Sequence, residues 1–172
     1  MPVTTKWIRV GKVTYGRAVF ATTDIPAEAV VGSVTGRVIA DAEYVSAYCI
    51  DLGGQLSLEP RTPFRYLNHS CHPNCQLLLV DQTWPDGTEA PADVQLETLR
   101  PIALGEELTI DYAWSADGAI PCLCGSRRCR GWVVAAEELP KLLRRPQHRK
   151  PGSTGGVEAK HRPDAPSPRK PR

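Results

Sequence analysis

Three cysteines, Cys122, Cys124 and Cys129, stand within the run PCLCGSRRCRG. Thiolates this close, on a loop loosened by Gly125, can converge on one cation, and a tetrahedral zinc held by sulfur is the usual structural outcome. Three ligands leave one position open. The segment Asn68-His69-Ser70-Cys71-His72-Pro73-Asn74-Cys75 offers Cys71 or Cys75 to fill it, and spacing alone does not choose between them. Disulfides would need an oxidising compartment. The opening MPVTTKWIRV lacks the apolar core of an export signal, so reduced thiols around a metal are the expectation.

Elements that fold back on themselves must bring such distant segments together. Val30 to Ile39, Cys49 to Leu52, Gln55 to Leu58, Leu77 to Val80, Val94 to Leu99 and Leu108 to Trp114 read as short strands, rich in β-branched and apolar residues. Gly53-Gly54 and Pro85-Asp86-Gly87 mark turns between them. Helices are few and short: Asp41 is placed to cap a turn over Ala42 to Ala47, and Ala135 to Leu139 begins a C-terminal helix that Pro140 interrupts or restarts. Ile25 to Gly32 and Ile102 to Thr109 echo one another faintly, too little to count as a repeat. The pattern is mainly β.

Composition sets the outer limits. A chain of 172 residues with 41% hydrophobic and 23% charged residues can bury the core of one ordinary domain. No apolar stretch is long enough to span a bilayer. The reading is therefore a soluble, cytoplasmic chain, or a nuclear one in a eukaryote. The net charge of +2 hides two halves of opposite sign: from Pro140 to Arg172 ten Lys or Arg face two acids, whereas the body upstream carries 11 bases and 17 acids. The basic end is proline-rich and has no aromatic residue, so it lacks the burial that offsets ordering entropy; residues 146 to 172 are expected to be disordered. Weak contact of that tail with nucleic-acid phosphates is a further expectation.

Three segments in one order carry a resemblance: FRYLNHSCHPNC at Phe64 to Cys75, GEELTIDY at Gly105 to Tyr112, and CLCGSRRCRG at Cys122 to Gly131. With YGRAVFATTDIP at Tyr15 to Pro26, the chain resembles a SET-domain protein-lysine methyltransferase with a post-SET zinc motif, over about residues 7 to 135. The resemblance implies a SET domain at 7–116, a post-SET zinc segment at 117–135 and a C-terminal extension at 136–172. It implies a β-fold of small sheets with a C-terminal pseudoknot that sets the Asn-His-Ser-Cys segment beside the Asp-Tyr segment. It also implies one zinc bound by Cys71, Cys122, Cys124 and Cys129, with Cys75 a buried thiol and Arg127, Arg128 and Arg130 offsetting the charge.

The implied cofactor is S-adenosylmethionine, held by Asn68, the His69 backbone and the Gly16, Arg17 and Ala18 loop, with Trp132 either covering the adenine or packing on the zinc lobe. The implied reaction is methyl transfer to the ε-amine of a lysine in a protein, a histone or another basic protein. Tyr112 matches the catalytic tyrosine and Tyr48 a channel tyrosine, while Tyr66 stands where the family often has Phe. Arg65 is expected to pair with an acid such as Glu107 or Asp111. Ala18 replaces the second glycine of the family's Gly-x-Gly, which predicts weakened cofactor binding if that position needs φ > 0 or a close backbone approach. Ala27 and Glu28 stand where a turn glycine is common. A non-catalytic peptide-binding module is the alternative from a different class.

Overall fold

A computed structural model describes residues 5–144 of the chain. The expected disordered basic tail lies outside the described residues. Twelve strands follow in chain order: β1 (Ile8–Val13), β2 (Gly16–Ala21), β3 (Val30–Ser33), β4 (Gly36–Ala40), β5 (Ile50–Gly53), β6 (Leu56–Pro60), β7 (Asn68–His69), β8 (Cys75–Thr83), β9 (Glu89–Thr98), β10 (Glu107–Ile110), β11 (Ile120–Pro121) and β12 (Trp132–Val133). One helix, α1 (Leu139–Arg144), closes the described chain. The strands form small sheets ordered β1-β2-β10-β7, β3-β9-β8, β4-β6-β5 and β11-β12. The architecture is the mainly β one that the sequence predicts.

Most expected strands form, with informative differences. Val30 to Ile39 is two strands rather than one, because the chain leaves β3 and enters a different sheet at β4. The Gly53-Gly54 turn joins β5 to β6 with both residues at positive φ, 79° and 58°, where a Cβ would be strained. Asp41 caps no helix; its side chain accepts the Glu43 N–H and its carbonyl accepts the Tyr44 N–H, which makes an isolated turn. The C-terminal helix begins at Leu139, with Pro140 in its first turn, where a missing N–H costs nothing.

The core lies where the sheets meet. Val19, Ile25, Val94, Leu96, Ile102 and Leu108 are all but fully buried there. The two faintly similar segments touch: Ile25 and Ile102 exchange backbone hydrogen bonds of 2.9 Å in both directions. That bridge fastens the chain entering β3 to the chain entering β10. Among the described residues no helix is long and apolar enough to cross a membrane.

Topology decides what stands beside what. β7 and β10 run parallel, with Thr109 opposite Asn68 and Ile110 opposite His69. Parallel neighbours need a long connection. Here it is the whole β8–β9 hairpin, which returns the chain to lie beside Asn68 as it enters the Asp111-Tyr112 segment.

Candidate functional site

Tyr112 follows β10 and lines a cavity of about 360 Å³ together with Tyr48, Phe64, Ile110 and Trp114. Its hydroxyl donates to the Leu67 carbonyl oxygen at 2.8 Å. Burial, then the nearby Tyr48 and Glu107, push its pKa up to about 12, so the phenol stays protonated at physiological pH. Its ring packs between His69 and Trp114, with centroids at 5.4 Å and 5.5 Å. The side chain is fixed from three directions.

Tyr48 reaches the same cavity from the loop before β5 and remains 45% exposed. The Arg65 guanidinium lies over its ring at 4.3 Å, a cation–π contact. Arg65 does not pair with Glu107 or Asp111. Its ion pair is with Glu59 at 3.6 Å, and it also donates to the Pro60 carbonyl. The reason is placement: Arg65 sits in a short turn beside the end of β6, whereas Asp111 is taken by Arg130 at 2.7 Å. Glu59 also accepts from the Tyr44 and Ser46 hydroxyls, so this carboxylate ties the Tyr48 loop to β6. Sequence reasoning missed Glu59, for which no motif gives a signal.

Gly16, Arg17 and Asn68 meet away from that cavity. The Asn68 amide nitrogen donates to the Arg17 carbonyl at 3.1 Å and to the Glu107 carboxylate at 2.8 Å. Arg17 stacks on the Tyr66 ring at 5.2 Å and donates to its hydroxyl. Gly16 has φ +135°, and a Cβ there would meet nothing within 4 Å, which leaves open space along the backbone. Ala18 is a different matter. It is completely buried in regular β2, paired with Gly11, and the positive φ falls on Gly16 instead. The glycine replaced by Ala18 is therefore not needed for φ > 0 here. The turn at 27–28 does need it, and Glu28 takes φ 58°.

His69 links this region to the cysteines. Its Nδ1 accepts the Tyr112 backbone N–H at 3.2 Å, and its Nε2 lies 3.3 Å from the Cys71 sulfur. Burial lowers its pKa, opposed by Asp111 and reinforced by Arg130, which favours the neutral ring. The sulfur atoms of Cys71, Cys122, Cys124 and Cys129 all lie within 4.8 Å of one another. Geometry thus selects Cys71 over Cys75. The latter is wholly buried in the main core with its thiol pushed up to about 12 by burial.

Four convergent sulfurs without a disulfide among them are the donor set that zinc prefers. Burial raises the Cys71 thiol and pushes Cys122 up to about 12, whereas Cys124 moves the other way. Although burial opposes it, hydrogen bonds including those from the Cys71 and Ser126 N–H groups bring Cys124 down to about 6. Of the three arginines expected to offset the charge, Arg130 reaches the Cys71 carbonyl at 3.4 Å and Arg128 touches His72. Trp132 lies in β12, packed with the small apolar cluster of Ala116, Val134 and Leu142, and its carbonyl is 3.9 Å from the Cys71 sulfur.

Residues 16–113 match the SET domain. The chain belongs to the SET-domain family. Among its relatives is the histone-lysine N-methyltransferase trithorax of Drosophila virilis, 31% identical over 134 residues, which are 69% of this chain and 3% of that protein. An H3 lysine-4 specific histone-lysine N-methyltransferase of Aspergillus fumigatus is 41% identical over 73 residues, 40% of this chain and 5% of that protein. This SET chain thus spans only a few per cent of the curated relatives it matches. Among solved structures, KRYPTONITE in complex with mCHG DNA and SAH superposes with a TM-score of 0.63 at 25% identity, covering 73% of this chain and 28% of that one. KRYPTONITE in complex with mCHH DNA, an H3(1-15) peptide and SAH gives 0.62 at 27% identity, covering 73% and 29%.

Proposed function

We propose that this SET-domain chain transfers a methyl group from S-adenosylmethionine to the ε-amine of a lysine in a basic protein, with histones the first class to test. The Tyr112 hydroxyl carries the reading. It spends its one proton on the Leu67 carbonyl and so offers the cavity only lone pairs. A hydroxyl in that state accepts an N–H from an entering amine and turns the nitrogen lone pair toward its target.

S-adenosylmethionine, when bound, supplies a methyl made electrophilic by its sulfonium, and the C–S electron pair returns to sulfur as the N–C bond forms. The protein's part is to bind and orient. The Asn68 amide, the Arg17 carbonyl and the open backbone at Gly16 are polar groups suited to the cofactor's amino-acid end. Cavity walls at Phe64, Ile110, Tyr112 and Trp114 would give the lysine stem carbon surface to lie against, with Asp51, Arg65 and Asp111 also lining the cavity. A free lysine titrates near ~10.4. Burial in such walls and a neighbouring positive charge both lower that value and favour the neutral nucleophile. Holding nitrogen, carbon and sulfur in line supplies much of the acceleration.

Cys71, Cys122, Cys124 and Cys129 would hold one structural zinc. Its part is to pin the 122–131 segment against Cys71, three residues after Asn68. By resemblance Trp132 either covers the adenine or packs on the zinc lobe and Tyr48 lines the channel, while the charge of the basic tail suits weak contact with phosphates. The relatives' histone substrates support a nuclear site of action over a cytoplasmic one.

The test is labelled S-adenosylmethionine with purified, zinc-loaded protein and a histone mixture. Label on a protein band supports the reading. Calorimetry showing no cofactor binding by folded protein would instead leave a peptide-binding module.

A further inference from the structure

Glu107, within the GEELTIDY segment, lies at the centre of a hydrogen-bonded cluster. Burial alternates along β10: Leu108 and Ile110 enter the core, and Glu107 and Thr109 face the other way. On that face one carboxylate oxygen of Glu107 accepts from Asn68 Nδ2 at 2.8 Å, and the other accepts from the Tyr15 hydroxyl at 3.3 Å. Burial and the Glu107 charge raise the Tyr15 pKa, so the hydroxyl keeps the proton it donates.

The amide orientation of Asn68 follows from its partners. Its nitrogen faces two acceptors, the Arg17 carbonyl and the Glu107 carboxylate; exchanging amide N and O would set oxygen against oxygen twice. Both hydrogens of Nδ2 are then used. Among the described residues Oδ1 has no hydrogen-bond partner, so Asn68 presents a bare acceptor where the Gly16–Ala18 backbone and β7 meet. Removing the carboxylate leaves the Arg17 carbonyl as the only group holding the amide.

We propose that Glu107, anchored by Tyr15, is a positioning residue that locks the Asn68 amide so that Oδ1 receives the α-ammonium group of the cofactor. The assignment rests on the S-adenosylmethionine reading above. Its consequence is specificity for a ligand bearing an amine, distinct from affinity for the nucleoside.

Calorimetric competition on the full zinc-loaded chain tests it, using S-adenosylhomocysteine and the analogue that lacks the α-amino group. Wild type should prefer the amine-bearing ligand by about tenfold or more, the size of a hydrogen bond to a charged group. Glu107→Ala should reduce that preference to within about twofold while leaving affinity for the amine-free analogue unchanged. Glu107→Gln keeps an acceptor oxygen for Asn68 and should retain the preference to within about threefold of wild type. Full preference in Glu107→Ala would overturn the assignment, and so would equal loss in the Gln variant, which would mark an effect of charge alone. Tyr15→Phe, at an exposed side chain, serves if Glu107→Ala does not fold: it should weaken the preference about twofold to threefold, and no change there would overturn the anchoring. Wild type that binds neither ligand would end the cofactor reading itself. Wild type that binds both equally would end this proposal alone.

Discussion

The backbone N–H of Tyr112 donates to Nδ1 of His69 at 3.2 Å, while the opposite nitrogen of the same ring lies 3.3 Å from the Cys71 sulfur. Because Nδ1 accepts, the neutral ring carries its proton on Nε2 and directs it at the Cys71 sulfur. One imidazole thereby joins the tyrosine of the cavity to the metal cluster. His69→Ala removes both bonds, and loss of a donor to a metal ligand typically costs ~10-fold or more in metal affinity. Competition with a fluorescent zinc chelator should show that loss, together with reduced methyl transfer in zinc-saturated protein. Unchanged zinc affinity would dissolve the link.

Zinc should be structural. Cys122→Ser removes one of four sulfurs within 4.8 Å of one another, and chelation would remove the ion they are placed to hold. Both should lower the melting temperature, since metal binding free energy is folding free energy. Elemental analysis should give one zinc per wild-type chain and less than half of that in the variant. The contrasting substitution is Cys75→Ser, which should keep the zinc and lose stability instead, because it puts a hydroxyl into the main core.

Acid should unfold this chain partly through Glu106. A hydrogen bond from Arg100 holds its pKa below the usual carboxylate range, against burial and helped by the Ala103 N–H and the Asn74 amide. The folded pKa is depressed, so the contribution to stability is present above the unfolded value and lost as pH falls through the folded one. Glu106→Gln should flatten the stability profile below about pH 4.5. Denaturant melts of both proteins across that range check it; parallel profiles would remove Glu106 from the account.

Transfer should speed up as pH rises and the substrate lysine loses its proton. With Tyr112 held at about 12 by burial, Tyr48 and Glu107, the phenol adds no inflection of its own below pH 10. Initial rates from pH 7 to pH 10 should rise along one limb. A fall above pH 9 in folded, cofactor-saturated protein would show that an ionising group of the site has been misread.

Contiguous motifs made the site residues legible. Asn68 to Cys75, Gly105 to Tyr112 and Cys122 to Gly131 each hold several chemically demanding residues in a few positions, and the resemblance of all three to one family carried the signal, spacing alone having pointed only to the three-cysteine loop. Relations across elements were not legible. Nothing in the string joins Glu59 to Tyr44, Ser46 and Arg65, because that meeting depends on how β6 lies against the loop before β5. The division of Val30 to Ile39 between two sheets was hidden for a similar reason: Ser33 and Gly36 end and begin strands whose composition is alike. Glu28 at φ 58° has no signature in its own side chain; the left-handed turn is imposed by the backbone bond from Glu28 N–H to the Thr98 carbonyl.

The most direct measurement is mass-spectrometric mapping of methyl groups on histones incubated with S-adenosylmethionine and either wild type or Tyr112→Phe, with cofactor affinity measured for both. The account predicts methylated lysine with wild type, a rate at least about 100-fold lower with the variant, and cofactor dissociation constants within about threefold of each other. Equal methylation by the two proteins would contradict it, because the hydroxyl that donates to Leu67 and faces the cavity would then have no part in the transfer.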